Sequence, residues 1–414
     1  MPVALVMMLV GFLGVWRMSS LEAALPMVAR TVYETVSYYP FTIIPLFVIM
    51  GSFADYSGIT NRLYDTFDKW FRRLPGGLGI ATIVAIAGFS AISGSSVATS
   101  AAFAKTVVPE MRRFHYAPRF AGGIVAAGAT IDFLIPPSIG FVVYGMLTEQ
   151  SIGKLLIAGM LPGLLLSLVF MIIIVAWVKI NPAVAPTPPG SVTWMERIRA
   201  LKGIWETLLV FLITIGGLYL GYVNPTEAGG IGAVALLLIA LAKRELGWKN
   251  FVACLFETGR VSAMVLFLVA GANMFSYFLA LSTIPAAFSA WIGALGVSKY
   301  MVLIIVVSIF FVLGCFLDAV SMMVLTMPVI FPLIVNLGFD PIWFGVVCVM
   351  MMNAGLITPP VGLNVYTVAG TFPDIPMNEI FKGTLPFLLG LLVVTLLVTL
   401  FPQIATYLPG KMKG

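Results

Sequence analysis

Charge is the scarcest property of this sequence. Asp, Glu, Lys and Arg make up 10% of its 414 residues, where a soluble domain carries about 25%. With 60% hydrophobic residues, that deficit excludes an ordinary water-soluble domain and indicates a polytopic membrane protein. Cysteine is also scarce. Cys254, Cys315 and Cys348 lie far apart in apolar segments, with neither metal nor disulfide spacing, and read as buried helical thiols. The single histidine, His115, sits in a basic loop and reads as a surface residue. No nucleophile–base pair and no metal-spaced cluster supports an enzyme. The net charge of +6 fits the Lys and Arg excess of cytoplasmic loops. Clustered basic faces, which nucleic-acid binding needs, are missing. Nothing resembles a cleaved signal peptide.

What the sequence does have is long apolar segments with polar breaks. The first break is Ser93-Gly94-Ser95-Ser96-Val97-Ala98-Thr99, inside the stretch 78–108. Three more follow, around Pro136-Pro137, at Asp318–Ser321, and at Thr358-Pro359-Pro360-Val361-Gly362. In lipid, an unwound backbone leaves N–H and C=O groups unpaired, at several kcal/mol each. Such breaks persist where protein, water, an ion or a substrate pairs with them, as in a transporter's central site.

In chain order, 2–16 is a short apolar segment and 19–37 an amphipathic arm. Residues 40–54 form a span, and 59–74 a charged amphipathic helix too polar to cross lipid. The segment 78–108 gives two arms of about fifteen residues, roughly 22 Å each. That is short for two crossings and suits a re-entrant hairpin. Basic residues on both sides of it (Lys69, Arg72 and Arg73; Arg112, Arg113 and Arg119) place both ends on the cytoplasmic side. Residues 120–147 read as a span broken at Pro136-Pro137, because consecutive prolines remove two N–H donors and open the helix. The connector 151–160, a span 162–178 and a polar, Pro-rich cytoplasmic linker 181–205 follow. The second half reads as spans 206–223 and 228–242, an arm 247–260, a span 261–281 and an amphipathic element 285–295. A second hairpin 300–335, a broken span 342–368 and a last span 385–401 complete it. The acidic loop 336–341 belongs on the outer side.

The two halves repeat. Pro109 and Pro332 stand 223 apart (332 − 109), and the same offset pairs Pro136 with Pro359, Pro137 with Pro360, Thr130 with Asn353, Ser95 with Asp318 and Pro2 with Pro225. Repeat one is therefore 1–180 and repeat two 206–414. The span before Pro225 has no counterpart before Pro2, so a further span is expected upstream or from another polypeptide. An odd number of crossings between the repeats inverts the second one. The expected fold class is an all-α polytopic membrane protein with two inverted repeats, re-entrant hairpins and broken helices.

Ser93, Gly94, Ser95, Ser96 and Thr99 offer a turn, hydroxyls and freed carbonyls, a hard oxygen set suited to Na+. The same Ser and Thr side chains also suit helix packing. Asp318 is an intramembrane carboxylate, a functional candidate by its insertion cost, with Ser321 close by. Thr130, Asp132, Asn353, Gly355, Thr358 and Asn364 are candidates to complete two pseudo-symmetric cages. Pro136, Pro137, Pro359 and Gly362 are the kink devices that free carbonyls there.

The motifs GSSVATSAAFAKTVVPEMRR, IPPSIGFVVYG with SIGKLLIAGMLPG, MMVLTMPVIFPL and NAGLITPPVGLNVY resemble the large membrane subunit, the DctM-like permease, of tripartite ATP-independent periplasmic (TRAP) transporters. The resemblance runs through the whole chain in the same order. It implies an elevator-type transporter of the bacterial cytoplasmic membrane, driven by a Na+ gradient without other cofactors. It also implies a small four-span membrane subunit and a periplasmic substrate-binding protein that delivers an organic acid. The family's ion-site positions fall on the two hairpin tips and the two Pro-Pro loops. Its pattern has a small residue at the position of Asp132, where this chain has a carboxylate. A stand-alone Na+/carboxylate symporter of the same superfamily and a passive channel are the alternative readings.

Overall fold

A computed structural model describes residues 3–188, 192–294 and 296–412. Pro2, Pro189 and Leu295, which enter the repeat, the linker and the second amphipathic element, lie outside the described residues. The described chain is helical throughout and contains no strand. Six helices among the described residues are long and apolar enough to cross a bilayer. Their outer faces are greasy. On the helix Met377–Leu400, Leu385, Leu389, Val393, Leu396 and Leu400 are all exposed. That spacing is one helical stripe, and lipid is the solvent in which it is stable.

The hairpins form where the sequence expected them, with shifted ends. The first is Gly77–Ser90 and Ser96–Arg113; the second is Lys299–Gly314 and Ala319–Asn336. The first returning helix runs through Pro109, where the exit was expected, and the second contains Pro332, as the expected hairpin 300–335 does. The first broken span is Pro118–Gly128, a 3-10 turn Ala129–Phe133, and Ile139–Thr148. The second is Pro341–Leu356 and Leu363–Thr371. Both Pro-Pro bonds are cis. The halves interlock crosswise: Leu363–Thr371 packs on the first hairpin, and Ile139–Thr148 packs on the second. Tyr144 of the first half donates to the Pro341 carbonyl of the second at 2.7 Å.

One expectation fails in an instructive way. The arm 247–260 and the span 261–281 are one continuous helix, Trp248–Ser282, of 35 residues. At 1.5 Å per residue it is about 52 Å long, well beyond a hydrocarbon core of about 30 Å. In the first half the same unit is split into Leu21–Ser37 and Ile43–Tyr56. Pro40 follows the extended Tyr38 there. The corresponding position in the long helix is Ala263, which leaves the N–H ladder intact.

The polar linker is also more ordered than its composition implies. Trp194–Ala200 is a helix with a Thr193/Glu196 capping box. It lies against the amphipathic helix Ile59–Phe71: Thr66 donates to the Ala200 carbonyl at 2.8 Å and Trp70 to the Arg197 carbonyl at 3.2 Å. Arg62, on the same amphipathic helix, pairs with the fully buried Glu206 at 2.8 Å and with Glu245 at 2.7 Å, while Lys243 also reaches Glu206. The junction between the halves is thereby clamped to the first half. His115 is exposed and the three cysteines are buried, though Cys315 stands at the hairpin break rather than within a helix.

Candidate ion and substrate site

At the first hairpin tip, Gly94 has φ +85°, and a Cβ there would stand 2.7 Å from the Pro137 carbonyl oxygen. Only glycine allows the tip to seat on the Pro-Pro loop. Ser95 caps the returning helix, its hydroxyl accepting from the Ala98 N–H at 3.4 Å. The Ser93 and Thr99 hydroxyls face each other at 3.2 Å. Asp132 lies beside them in the 3-10 turn, at 0% exposure. The Ser90, Thr99 and Ser93 hydroxyls and the Gly94 N–H surround its carboxylate within hydrogen-bonding reach.

Asn364, from the opposite half, completes this cluster. Its amide nitrogen donates to the Ser96 hydroxyl at 2.6 Å and to the Ala126 carbonyl at 3.1 Å, and its amide oxygen accepts from Ser96 at 3.0 Å. Asn364 therefore belongs with the first tip, not with the second Pro-Pro loop beside it in sequence. Ser93, Gly94, Ser95, Ser96, Thr99, Asp132, Pro137 and Asn364 are brought to one place. The Thr130 hydroxyl donates to the Ala127 carbonyl at 2.6 Å and is committed to its own helix.

The second tip follows the same plan. Asp318 caps the returning helix, accepting from the Ser321 N–H at 3.0 Å. Gly314 meets Gly355 backbone to backbone; a Cβ on Gly355 would fall 2.2 Å from the Gly314 carbonyl carbon. The Val361 N–H donates to the Cys315 carbonyl at 3.3 Å, tying the tip to the Pro359-Pro360 loop. Gly362 takes φ +56° to start the following helix. Thr358 donates to the Ala354 carbonyl at 2.6 Å, as Thr130 does to its own turn. Asn353 is buried at 1% exposure with neither amide atom bonded.

Sequence reasoning missed three contributors. Ser90 stands beside Asp132, its proton given to the Ile86 carbonyl at 2.8 Å. Asp55 and Glu257 line a cavity of about 40 Å³ that also touches Ser93 and Ser95. Asp55 was detectable: it carries the same intramembrane-carboxylate signal as Asp318, one residue beyond the expected end of its span. A larger cavity, about 1540 Å³, opens between Glu34 and Tyr38 of the first arm, Glu149 and Gln150 after the first broken span, and Tyr222 and Asn224 between two spans of the second half.

Apolar spans around two polar, broken-helix tips, the first largely buried and the second partly exposed, place the chain among multi-span membrane transporters. The family described as "Tripartite ATP-independent periplasmic transporter, DctM component" matches residues 1–404, and the chain belongs to it. It is 38% identical to the C4-dicarboxylate TRAP transporter large permease protein DctM of Pseudomonas aeruginosa, over 92% of this chain and 89% of that one. It is 32% identical to the isethionate TRAP transporter permease protein DctMQ of Oleidesulfovibrio alaskensis, over 96% of this chain and 63% of that one. Among solved structures, the YdaH transporter of Alcanivorax borkumensis has a TM-score of 0.67 at 15% identity, covering 94% of this chain and 90% of that one. That likeness concerns the fold. These relatives are transporters, which accords with a chain that is not an enzyme.

Proposed function

We propose that this chain is the large permease subunit of a Na+-coupled secondary transporter that imports a small organic acid by an elevator mechanism. A periplasmic binding protein delivers the acid, and a small four-span membrane subunit completes the complex. The observation that carries the ion coupling is the pair of matched tips. Each combines a capped half-helix, a Pro-Pro loop and a buried polar side chain beside it, Asp132 at the first and Asn353 at the second. The donor chemistry fits a hard alkali cation: carboxylate, amide, hydroxyl and carbonyl oxygens, with no thiol ligand called for. The half-helix starts at Ser96 and Ala319 carry partial positive charge that favours the substrate carboxylate. Two relatives are named for a C4-dicarboxylate and for isethionate, so an anionic substrate is the class carried over. DctMQ, of which this chain matches only 63%, has length to spare for a second membrane subunit in the same polypeptide.

The test is uptake of a labelled acid into proteoliposomes holding the permease and its small subunit, with the binding protein outside. Uptake is expected to need an inward Na+ gradient, and acid loaded on the far side is expected to accelerate exchange. Uptake indifferent to replacing Na+ by choline would refute the coupling. Flux without exchange stimulation would indicate a channel.

A further inference from the structure

The short linker helix Trp194–Ala200 has a bare apolar face. Its inner side is taken up by the amphipathic helix Ile59–Phe71, through the Ala200 and Arg197 carbonyls. Trp194, Met195, Ile198 and Leu201 are exposed. Their spacing, i, i+1, i+4 and i+7, makes one helical stripe. The apolar surface continues beyond the linker. At Ile204 the chain bends by 47° into the helical segment Trp205–Leu220, where Trp205, Leu208, Leu209 and Leu212 are exposed as well. The linker stripe thus adjoins a surface that only lipid solvates well. Trp70 packs edge-on against Trp194, with ring centroids 6.2 Å apart. Tryptophan concentrates at the level of lipid headgroups.

The charges beside the stripe are mostly basic. Arg199 and Lys202 are exposed, and neither forms a salt bridge among the described residues. Arg197 lies over the Trp194 ring, 5.1 Å from its centroid. Lys69 and Arg73, at the end of the neighbouring amphipathic helix, are exposed too. The acids there are Asp65 and Glu196, and the Glu196 carboxylate is committed to the Thr193 capping box. A soluble acidic partner would match the charge and leave the stripe wet. An apolar protein partner would cover the stripe and bury the cations. An anionic lipid surface matches both at once.

We propose that the linker helix is an anchor for anionic phospholipid headgroups of the cytoplasmic leaflet. Trp194, Met195, Ile198 and Leu201 enter the acyl boundary, and Arg199 and Lys202 meet the phosphates. The anchor adjoins the clamp in which Arg62 holds Glu206, so leaflet charge steadies the joint between the halves. The inference rests on the membrane placement of the chain and not on its ion coupling.

The test follows the melting temperature of the purified permease in neutral detergent as phosphatidylglycerol is added, with phosphatidylcholine of the same chains in parallel. Phosphatidylglycerol is expected to raise the melting temperature further than phosphatidylcholine does, and high NaCl to weaken the difference. The double variant Arg199→Gln, Lys202→Gln is expected to melt as wild type does without lipid. Its half-saturating phosphatidylglycerol is expected to rise about tenfold or more. Equal responses to the two lipids would overturn the proposal, as would an undiminished phosphatidylglycerol response in the double variant. So would an equal response to glycerol phosphate, which would make the site one for a free anion. A second measurement places an environment-sensitive fluorophore on Ile198→Cys in phosphatidylglycerol nanodiscs; the three native thiols are buried. Apolar emission, quenched by spin-labelled lipid, is expected. Water-like emission would overturn the anchor. Emission that turns apolar only when the small subunit is added would assign the face to that subunit instead. Should the double variant fail to fold, the Ile198→Cys emission decides.

Discussion

At the first hairpin tip a glycine seats against a proline carbonyl, a serine caps the returning helix, and a carboxylate stands alongside. At the second, a glycine seats against another glycine, an aspartate caps the helix, and an unpaired amide stands alongside. The backbone plan is shared: turn, cap, returning helix, Pro-Pro loop. The side chains that complete it have exchanged places. The acid is in the cap at one tip and beneath the turn at the other. The difference shows that the repeat preserves the geometry that opens the helices, while each half supplies its own charge. An N-cap carboxylate accepts backbone N–H groups and is thereby satisfied; Asp318 does so. Asp132 lies beneath the turn instead, among the Ser90, Thr99 and Ser93 hydroxyls and the Gly94 N–H.

The comparison is broken most severely at its tightest contact. Gly355→Val would force a branched side chain into the Gly314 backbone, 2.2 Å from the new Cβ. Overpacking of this kind costs about 3 kcal/mol. The expected result is loss of the folded second tip, read as a collapse of the melting temperature and of uptake. Gly94→Ala meets both a positive φ and the Pro137 carbonyl at 2.7 Å, at a cost of about 1–3 kcal/mol. It is expected to fold and to lose most transport, which a melting curve and an uptake assay separate. Asn364→Ala removes hydrogen bonds to Ser96 and Ala126 and leaves a buried hydroxyl and carbonyl with one partner fewer. A loss of about 1–3 kcal/mol is expected in denaturant unfolding, with the first tip affected and the second spared.

The smallest structural effect belongs to Asp318. Asp318→Asn retains a capping side chain and is expected to shift stability by less than about 0.5 kcal/mol, whereas Asp318→Ala loses the cap at about 1 kcal/mol. If Asp318→Asn also leaves Na+ dependence and rate intact, Asp318 is a cap and nothing more. A large transport defect at unchanged stability would restore it to the ion site and remove the contrast with Asp132.

Most of the architecture was legible in the sequence because lipid is a strict solvent. Polar breaks, proline pairs and a fixed repeat offset leave few ways to arrange the chain. Both hairpins and both broken spans appear within a few residues of their expected ends. One helix end at a proline was misjudged, since Pro109 continues within its helix. The joined helix Trp248–Ser282 was missed because basic and polar residues at its centre mimic an interfacial boundary, while continuity depends only on an unbroken N–H ladder. The candidate site was legible as a set of residues but not as a grouping. Nothing local says that Asn364 reaches across to Ser96. Nor does local sequence say that Thr130 and Thr358 turn their hydroxyls to their own backbones. Those outcomes depend on which helix packs against which, a property of the crosswise fold.

The central claim is that each hairpin tip carries a coupling ion. The most direct measurement is the coupling ratio, obtained from the reversal potential of acid flux in proteoliposomes at fixed Na+ and acid gradients. One ion at each tip gives about two Na+ per acid molecule. A ratio of zero, or of a single Na+ unchanged by substitution at either tip, would contradict the account.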